Sequence, residues 1–522
     1  MGVIKVPLFV KLLFSTLQKF GRLVLWEAVL ILKVHSAETQ VFKLHKYRNV
    51  VIISKKLCKR ETELMKKRSD AVFGVLLFLI SMGFYLFFAF YDGAVICVDS
   101  PSYINMEISR EPLYPMLLLL FRQVFSSAGE GYLQGVAIFQ SILAACAALS
   151  LTCFLRKELK LGKAVSLVVL MIPLLTSLLC RFAAKRASMY SNSILTEGIA
   201  TSLFLLFSRY VIDYCIKGKK KAFFTAAFIS FLLISTRKQM VITVLLLISA
   251  IVWRSIREKT VKKGLLILTV CVLGIGTVSY LLDCSYNYCV RGSFSRHTND
   301  NRFLDTVIIY ASEKEDGEAI KRDDTRELFE SIYEICDEGG YLMHSAGQGW
   351  YERSAHFGDY YDCIQIDTLW PALEQYVREH YEGDNASLEK IVDDYNAQII
   401  RALMPEVFPR LMRVFADNVL NGMVTTVAKK TPVLVWYSVV VYILYIVLLI
   451  THVKRNGLDG RAILAVYTLL AVMINVAVVS ATIFCQTRYM IYNMPLFYIS
   501  LVLLCGSFDT KPAVCAGSKG MV

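Results

Sequence analysis

Residues 71–115 read AVFGVLLFLISMGFYLFFAFY followed by DGAVICVDSPSYINMEISREPLYP. The first part, 71–91, carries no charge and, at about 1.5 Å of rise per residue, is long enough to cross a hydrocarbon layer of about 30 Å. The second part packs Asp92, Asp99, Tyr103, Glu107, Arg110, Glu111 and Tyr114 between two apolar runs. Ionisable groups held at a membrane face are costly unless they act or pair. The segment 92–115 is therefore the first place to look for an active site.

The remainder of the 522 residues has the same character, with 56% hydrophobic residues and a mean hydropathy of +0.50. Repeated apolar runs near or above the length of a span indicate an all-α polytopic membrane protein. The net charge of +14 is unevenly placed. Residues 1–70 hold fifteen Lys/Arg against five acids, whereas 283–431 hold twenty-seven of the forty-three acids. Membrane topology explains that split, and a nucleic-acid partner does not. The fourteen cysteines form no CxxC pair and no Cys/His metal spacing. Cys284 and Cys289 are close enough in sequence to pair in an oxidising compartment.

Residues 1–70 form a basic segment, cytoplasmic or interfacial. Within it Pro7 to Val34 is apolar on one face and interrupted by Lys11, Lys19, Arg22 and Glu27, as in an interfacial amphipathic helix. No small-residue cleavage site follows. Met65-Lys-Lys-Arg-Ser-Asp, directly before the first span, reads as an ordinary membrane-protein start, so a misplaced start codon is one reading of 1–64.

Lys/Arg clusters at 55–68, 156–163, 217–221, 254–263 and 454–461 belong in the cytoplasm. An even number of crossings must separate any two of them. Spans are expected at 71–91, 132–155, 164–180, 194–214, 222–236, 239–253, 264–282, 432–452, 462–483 and 490–506. They make a core of seven spans over 71–282, with the loop 92–131 outside, and three C-terminal spans over 432–506. The tail 507–522 returns to the cytoplasm. Leu113 to Phe121 is too short to cross and must lie along or dip into the outer face. Residues 283–431 form an acidic outside domain, mostly helical, with periodic stretches at Asp324–Glu338, Pro371–His380 and Ala386–Leu403. His356, Asp359 and Asp362 lie near one another there, but no metal motif supports them.

Three features break the positive-inside rule on the outer side: Arg181, Lys185 and Arg186 in one loop, Arg237 and Lys238 in a short turn, and Arg488 at the mouth of the last span. Guanidinium groups bind phosphate bidentately and Lys adds a point charge, so an anionic headgroup is the natural partner. The alternative is pairing with lipid phosphates or with the acidic domain. Glu197, just inside a span, lines a cavity or pairs with a cation. A carboxylate beside phosphate-ready cations on a lipid-accessible face suggests group transfer from a lipid phosphate. The carboxylate acts as base on an acceptor hydroxyl, and the cations stabilise the leaving phosphate.

Five short motifs, in order across about 71–506, resemble those of the GT-C membrane glycosyltransferases. The resemblance is to the bacterial branch related to protein O-mannosyltransferases and to the enzyme adding aminoarabinose to lipid A. They are Asp99-Ser-Pro-Ser-Tyr103, Arg110-Glu-Pro-Leu-Tyr-Pro115, Leu195-Thr-Glu-Gly198, Leu233-Ile-Ser-Thr-Arg237, and Thr487-Arg-Tyr-Met with Pro495. The resemblance implies a GT-C-like arrangement of about ten transmembrane helices and a polyprenyl-phosphate-linked sugar donor. It also implies transfer to a cell-envelope glycan, lipid or protein acceptor on the outer face of the bacterial plasma membrane, commonly with inversion.

It puts Asp99 in the place of the catalytic carboxylate, with Glu197 and Glu111 as further acids. Arg237, Lys238, Arg488, Arg181 and Arg186 become candidates for the donor phosphate, and Tyr103, Arg110, Tyr114 and Tyr489 for substrate contacts. Close relatives often have paired acids, Asp-Glu, in this loop, whereas here Asp99 is followed by Ser100, so that Asp92 or Glu111 takes the second acid's role or none is needed. No cofactor is called for; a divalent metal is compatible if Asp99 and a second acid converge. The rival readings are a lipid-linked glycan transporter or flippase, whose cations would line both faces, and an envelope glycan polymerase or ligase.

Overall fold

The computed structural model describes residues 47–183, 188–298 and 302–506. The amphipathic reading of 7–34, the tail 507–522, and Lys185 and Arg186 lie outside the described residues. The chain divides into two units, Met1–Phe78 and Leu79–Val522. In the first, the described part is helical from Tyr47 onward. In the second, the same helix, α1 (Tyr47–Tyr91), ends before the polar loop.

No strand is found among the described residues; the protein is all-α. Among the described residues eight helical stretches are long and apolar enough to cross a membrane: Arg68–Tyr91, Tyr132–Glu158, Lys163–Arg181, Glu197–Lys217, Lys238–Arg257, Val261–Arg291, Pro432–Asn456 and Gly460–Ser480. The two other expected spans are shorter helices, Lys220–Ile234 with 15 residues and Met494–Cys505 with 12. At about 1.5 Å per residue neither covers a full hydrocarbon layer alone. Burial sorts the long helices by position. Glu197–Lys217 and Gly460–Ser480 each have 61% of their apolar window buried, and Val261–Arg291 has 6%. The first two are central, and the last presents Leu265, Leu266 and Val270 away from the chain, where lipid tails can cover them.

In chain order the elements after α1 are α2 (Ser100–Ile104), α3 (Leu113–Val124), α4 (Tyr132–Glu158), α5 (Lys163–Ala183), α6 (Glu197–Lys217), α7 (Lys220–Ile234), α8 (Ile242–Arg257) and α9 (Val261–Arg291). The acidic region follows with α10 (Arg302–Ala311), α11 (Asp323–Glu338), α12 (Trp350–Asp362), α13 (Trp370–His380) and α14 (Asn385–Val427). The chain closes with α15 (Pro432–Asn456), α16 (Gly460–Ser480), α17 (Thr487–Met490) and α18 (Met494–Cys505). The expected short segment after the loop is α3. It packs against α4 through Phe121 and Phe139, whose ring centroids lie 5.7 Å apart.

Two boundaries differ from the sequence reading. α9 is continuous to Arg291, past the expected end of its span at residue 282. Cys284 and Cys289 therefore share one helix five residues apart, on diverging faces, and both are free. α14 runs 43 residues through Pro405 and Pro409, past the expected end at Leu403. Proline removes a helical hydrogen bond, but Val407 and Val414 lie in the same buried core as Ile399 and Leu403, and that packing carries the helix onward.

Loops that parity assigns to one side are joined to each other. Val95 pairs with Asn192 and Ile194 through backbone bonds of 2.9 Å each, Leu113 N donates to Ser235 O at 3.0 Å, and Thr298 N donates to Ile108 O at 3.1 Å. Arg291, at the end of α9, donates to the carbonyl of Met106. One end of the bundle thus collects the Asp99 loop, residues 188–197, the turn 235–238 and the end of α9.

Candidate active site

Asp99 stands at the cap position of α2, where Pro101 in the first turn starts the helix. A capping Asp usually accepts a hydrogen bond from the first turn; here the carboxylate makes no such bond. The neighbouring Ser100 braces the loop instead: its Oγ accepts from Cys97 N at 2.7 Å and donates to Ile194 O at 2.8 Å. The Asp99 carboxylate is thereby left for cations. Oδ2 lies 2.7 Å from Arg488 Nη2, and Oδ1 lies 3.3 Å from Arg110 Nη2.

Arg488 also donates through Nε to Glu197. Arg237 Nη1 lies 2.5 Å from the same Glu197 oxygen. Glu197 opens α6, where the positive end of the helix dipole favours an acid, and Thr196 Oγ1 donates to its other oxygen at 3.2 Å. The result is a chain of charges, Arg110–Asp99–Arg488–Glu197–Arg237, drawn from four separate parts of the sequence. In that chain three guanidiniums meet two carboxylates.

Exposure separates the two acids. The Asp99 side chain is 28% exposed and that of Glu197 is 0%. A base must reach the proton it removes, so Asp99 can meet a substrate hydroxyl, and Glu197 serves as the buried anchor of Arg237 and Arg488. Burial pulls the Asp99 carboxyl upward, but the Arg488 and Arg110 guanidiniums outweigh it and hold the group below its ordinary value.

The expected aromatic contacts split. Arg110 lies over the Tyr103 ring at 4.7 Å and Arg237 over the Tyr489 ring at 5.0 Å, so both rings back the cations. Arg110 also donates to Ser102 Oγ at 2.8 Å. Tyr114 is fully buried, with its hydroxyl donating to Gln140 Oε1 at 3.0 Å and its ring edge-on to Tyr103. It belongs to the packing beneath the loop.

Glu111 accepts from the backbone N–H of Lys238 at 2.8 Å, tying the loop to the turn that carries Arg237. Arg181 pairs with Asp92, which Asn192 also reaches at 3.4 Å, and so braces the start of the loop apart from the Asp99 cluster. His356 contacts Gly340 O at 3.0 Å and Tyr310 OH at 3.4 Å rather than Asp359 or Asp362. Among the described residues no group of three His, Cys, Asp or Glu side chains is placed to hold a metal ion. Asp99 and Glu197 converge on a guanidinium rather than on each other, a set that does not fit a shared metal.

Gln239 and Asn475 are site residues that charge and motif reasoning passed over. Gln239 Nε2 donates to Asn475 Oδ1 at 2.9 Å and to Tyr489 O at 2.7 Å, and Asn475 Nδ2 donates to Tyr489 O at 3.0 Å. Their signal was available: an amide inside an apolar run is costly without a partner. No family model matches the chain, and no curated protein or solved structure matches it.

Proposed function

We propose that the chain is a membrane glycosyltransferase of GT-C type, with about ten spans when the two short helices are included. It transfers a sugar from a polyprenyl-phosphate donor to an envelope acceptor at the outer face of a bacterial plasma membrane. The observation that carries this reading is the Asp99–Arg488–Glu197–Arg237 array. It combines one reachable carboxylate with two guanidiniums anchored on a buried one.

In this reading the donor phosphate sits against Arg488 and Arg237, whose charge offsets its own. Asp99 takes the proton of an acceptor hydroxyl as that oxygen attacks the anomeric carbon. The bond from that carbon to the phosphate oxygen breaks, and polyprenyl phosphate leaves with the electron pair, held by the two arginines. Attack from the face opposite the phosphate inverts the centre. When the phosphate draws Arg488 toward itself, Asp99 loses one of the cations that hold its proton affinity down and becomes the stronger base.

The test is a panel of radiolabelled polyprenyl-phosphate sugars presented with an envelope extract to protein in nanodiscs, wild type beside Asp99→Asn. Transfer by wild type alone is expected. Equal transfer by both removes Asp99 as base and turns attention to Glu111 and Glu197. Transmembrane movement of a lipid-linked glycan, with no transfer from any donor in the panel, overturns the reading in favour of a transporter.

A further inference from the structure

Arg488 follows an irregular stretch, Ala481–Gln486, between α16 and α17, in which Ile483 and Cys485 are buried, and buried irregular backbone needs partners for its N–H and C=O groups. Two side chains of α14 supply them. Asn418 Nδ2 donates to Ile483 O at 2.8 Å and to Ser480 O at 3.4 Å, while its Oδ1 accepts from Cys485 N at 2.9 Å. Asn421 Nδ2 donates to Cys485 O at 2.7 Å. Asn418 is 1% exposed and Asn421 4%.

The approach that permits these bonds depends on Gly422, where an added Cβ would stand 2.9 Å from both Cys485 Sγ and Val476 Cγ1. On the far side of Arg488 the Tyr489 carbonyl is held by Gln239 and Asn475, so the arginine lies between two amide clamps. The first clamp belongs to the acidic region. The same stretch carries Phe484, whose ring lies 4.9 Å from that of Tyr361 at the end of α12.

We infer that Asn418 and Asn421 are positioning residues for Arg488, through which the acidic region sets the geometry of the phosphate-binding end. This rests on the reading of Arg488 as a phosphate ligand. α14 begins in the core of the acidic region and ends beside the loop, so a shift of that region on taking up an acceptor would reach Arg488 through two side chains. Neither asparagine touches substrate; each acts through the loop.

Two readouts on full-length protein in nanodiscs keep the inference separable from the reading beneath it. The first is hydrogen exchange at the amides of 483–490, which reports loop order whatever the protein does. The second is affinity for a polyprenyl monophosphate, with the uncharged polyprenol as control. In Asn418→Ala/Asn421→Ala, exchange at Cys485 and the residues after it should accelerate while α16 keeps its protection. Affinity for the phosphate should fall by about tenfold, the scale of one lost charge-assisted hydrogen bond, and little further when Arg488→Ala is added.

Gly422→Ala keeps both amides but pushes the helix off, and should reproduce a milder version of both effects. Unchanged exchange at Cys485, or a loss of affinity that adds fully to that of Arg488→Ala, overturns the inference. If Arg488→Ala itself leaves phosphate affinity unchanged, the phosphate reading fails, and with it the role of the asparagines in binding.

Discussion

Asp99 Oδ2 lies 2.7 Å from Arg488 Nη2, joining the loop after the first described span to the mouth of the last helix. Neither residue could be assigned that partner from its neighbours in sequence. Because Arg488 also holds Glu197, a change at any one of the three is felt by the others, and the consequences can be separated by measurement.

Asp99→Asn keeps the shape of the side chain and removes its basicity. Transfer should fall by roughly 10²–10⁴-fold, the usual contribution of a positioned base, with thermal stability little changed, since the group is partly exposed. A variant that unfolds instead would identify Asp99 as a structural counter-charge.

Glu197→Ala leaves Arg237 and Arg488 without their shared buried carboxylate. Breaking a buried ion pair from one side costs about 3–5 kcal/mol, so the protein should be recovered in poor yield and unfold at lower temperature. Glu197→Gln in an Arg237→Gln background should recover part of that loss. A Glu197→Gln single variant as stable as wild type but inactive would instead give Glu197 a direct part in the chemistry.

The acidic limb of kcat/KM for the free enzyme should lie below the ordinary aspartate value of 3.8, because Arg488 and Arg110 outweigh the burial that would raise Asp99. The sign follows from the charge: cations favour the ionised form, so the base stays ready as pH falls until it passes the lowered value. Arg488→Gln removes one of these cations, and the limb should move to higher pH. A limb that stays put would separate Asp99 from the titration seen in the rate.

Lys430, between α14 and α15, donates to Ser354 Oγ at 2.6 Å and to Tyr351 O at 3.1 Å. Burial pushes its ammonium down to about 8, against the pull of Asp359, Asp417 and Glu352. At pH below 8 both folded and unfolded chains hold the proton, and the burial penalty is present in full. Between 8 and the ordinary lysine value of 10.5 the unfolded chain binds more protons, so stability rises with pH. The Tm of wild type relative to Lys430→Met should therefore shift in favour of wild type between pH 8 and 10. A constant difference would mean the amine is not desolvated.

Gly198 follows Glu197, and a Cβ there would fall 2.4 Å from Gln140 Oε1. Gln140 is fully buried, accepts from Tyr114 and donates to Ser193 O at 3.0 Å, so it has no free direction in which to yield. Gly198→Ala should lower stability by about 1–3 kcal/mol, the usual range for forced overpacking, as read by chemical unfolding in detergent. A neutral outcome would show that the amide can re-form its bonds elsewhere.

What the sequence determined by itself was membrane embedding, helical class and the residues worth suspecting. Apolar length and charge asymmetry are local properties of the chain, and the hydrocarbon layer reads them directly. They brought out Asp99, Glu197, Arg237 and Arg488 as charges out of place. Two of the ten expected spans fold as helices of 15 and 12 residues, shorter than the other eight. The path of α14 through Pro405 and Pro409 was hidden because the packing that sustains it comes from residues far away in sequence. Only the tertiary structure decided which charge answers which. It sent Arg181 to Asp92, Arg237 to Glu197, and Arg488 to both Glu197 and Asp99. Pairing of buried ions is set by distance and by the loss of water around each group, and neither quantity exists until segments tens to hundreds of residues apart have packed together.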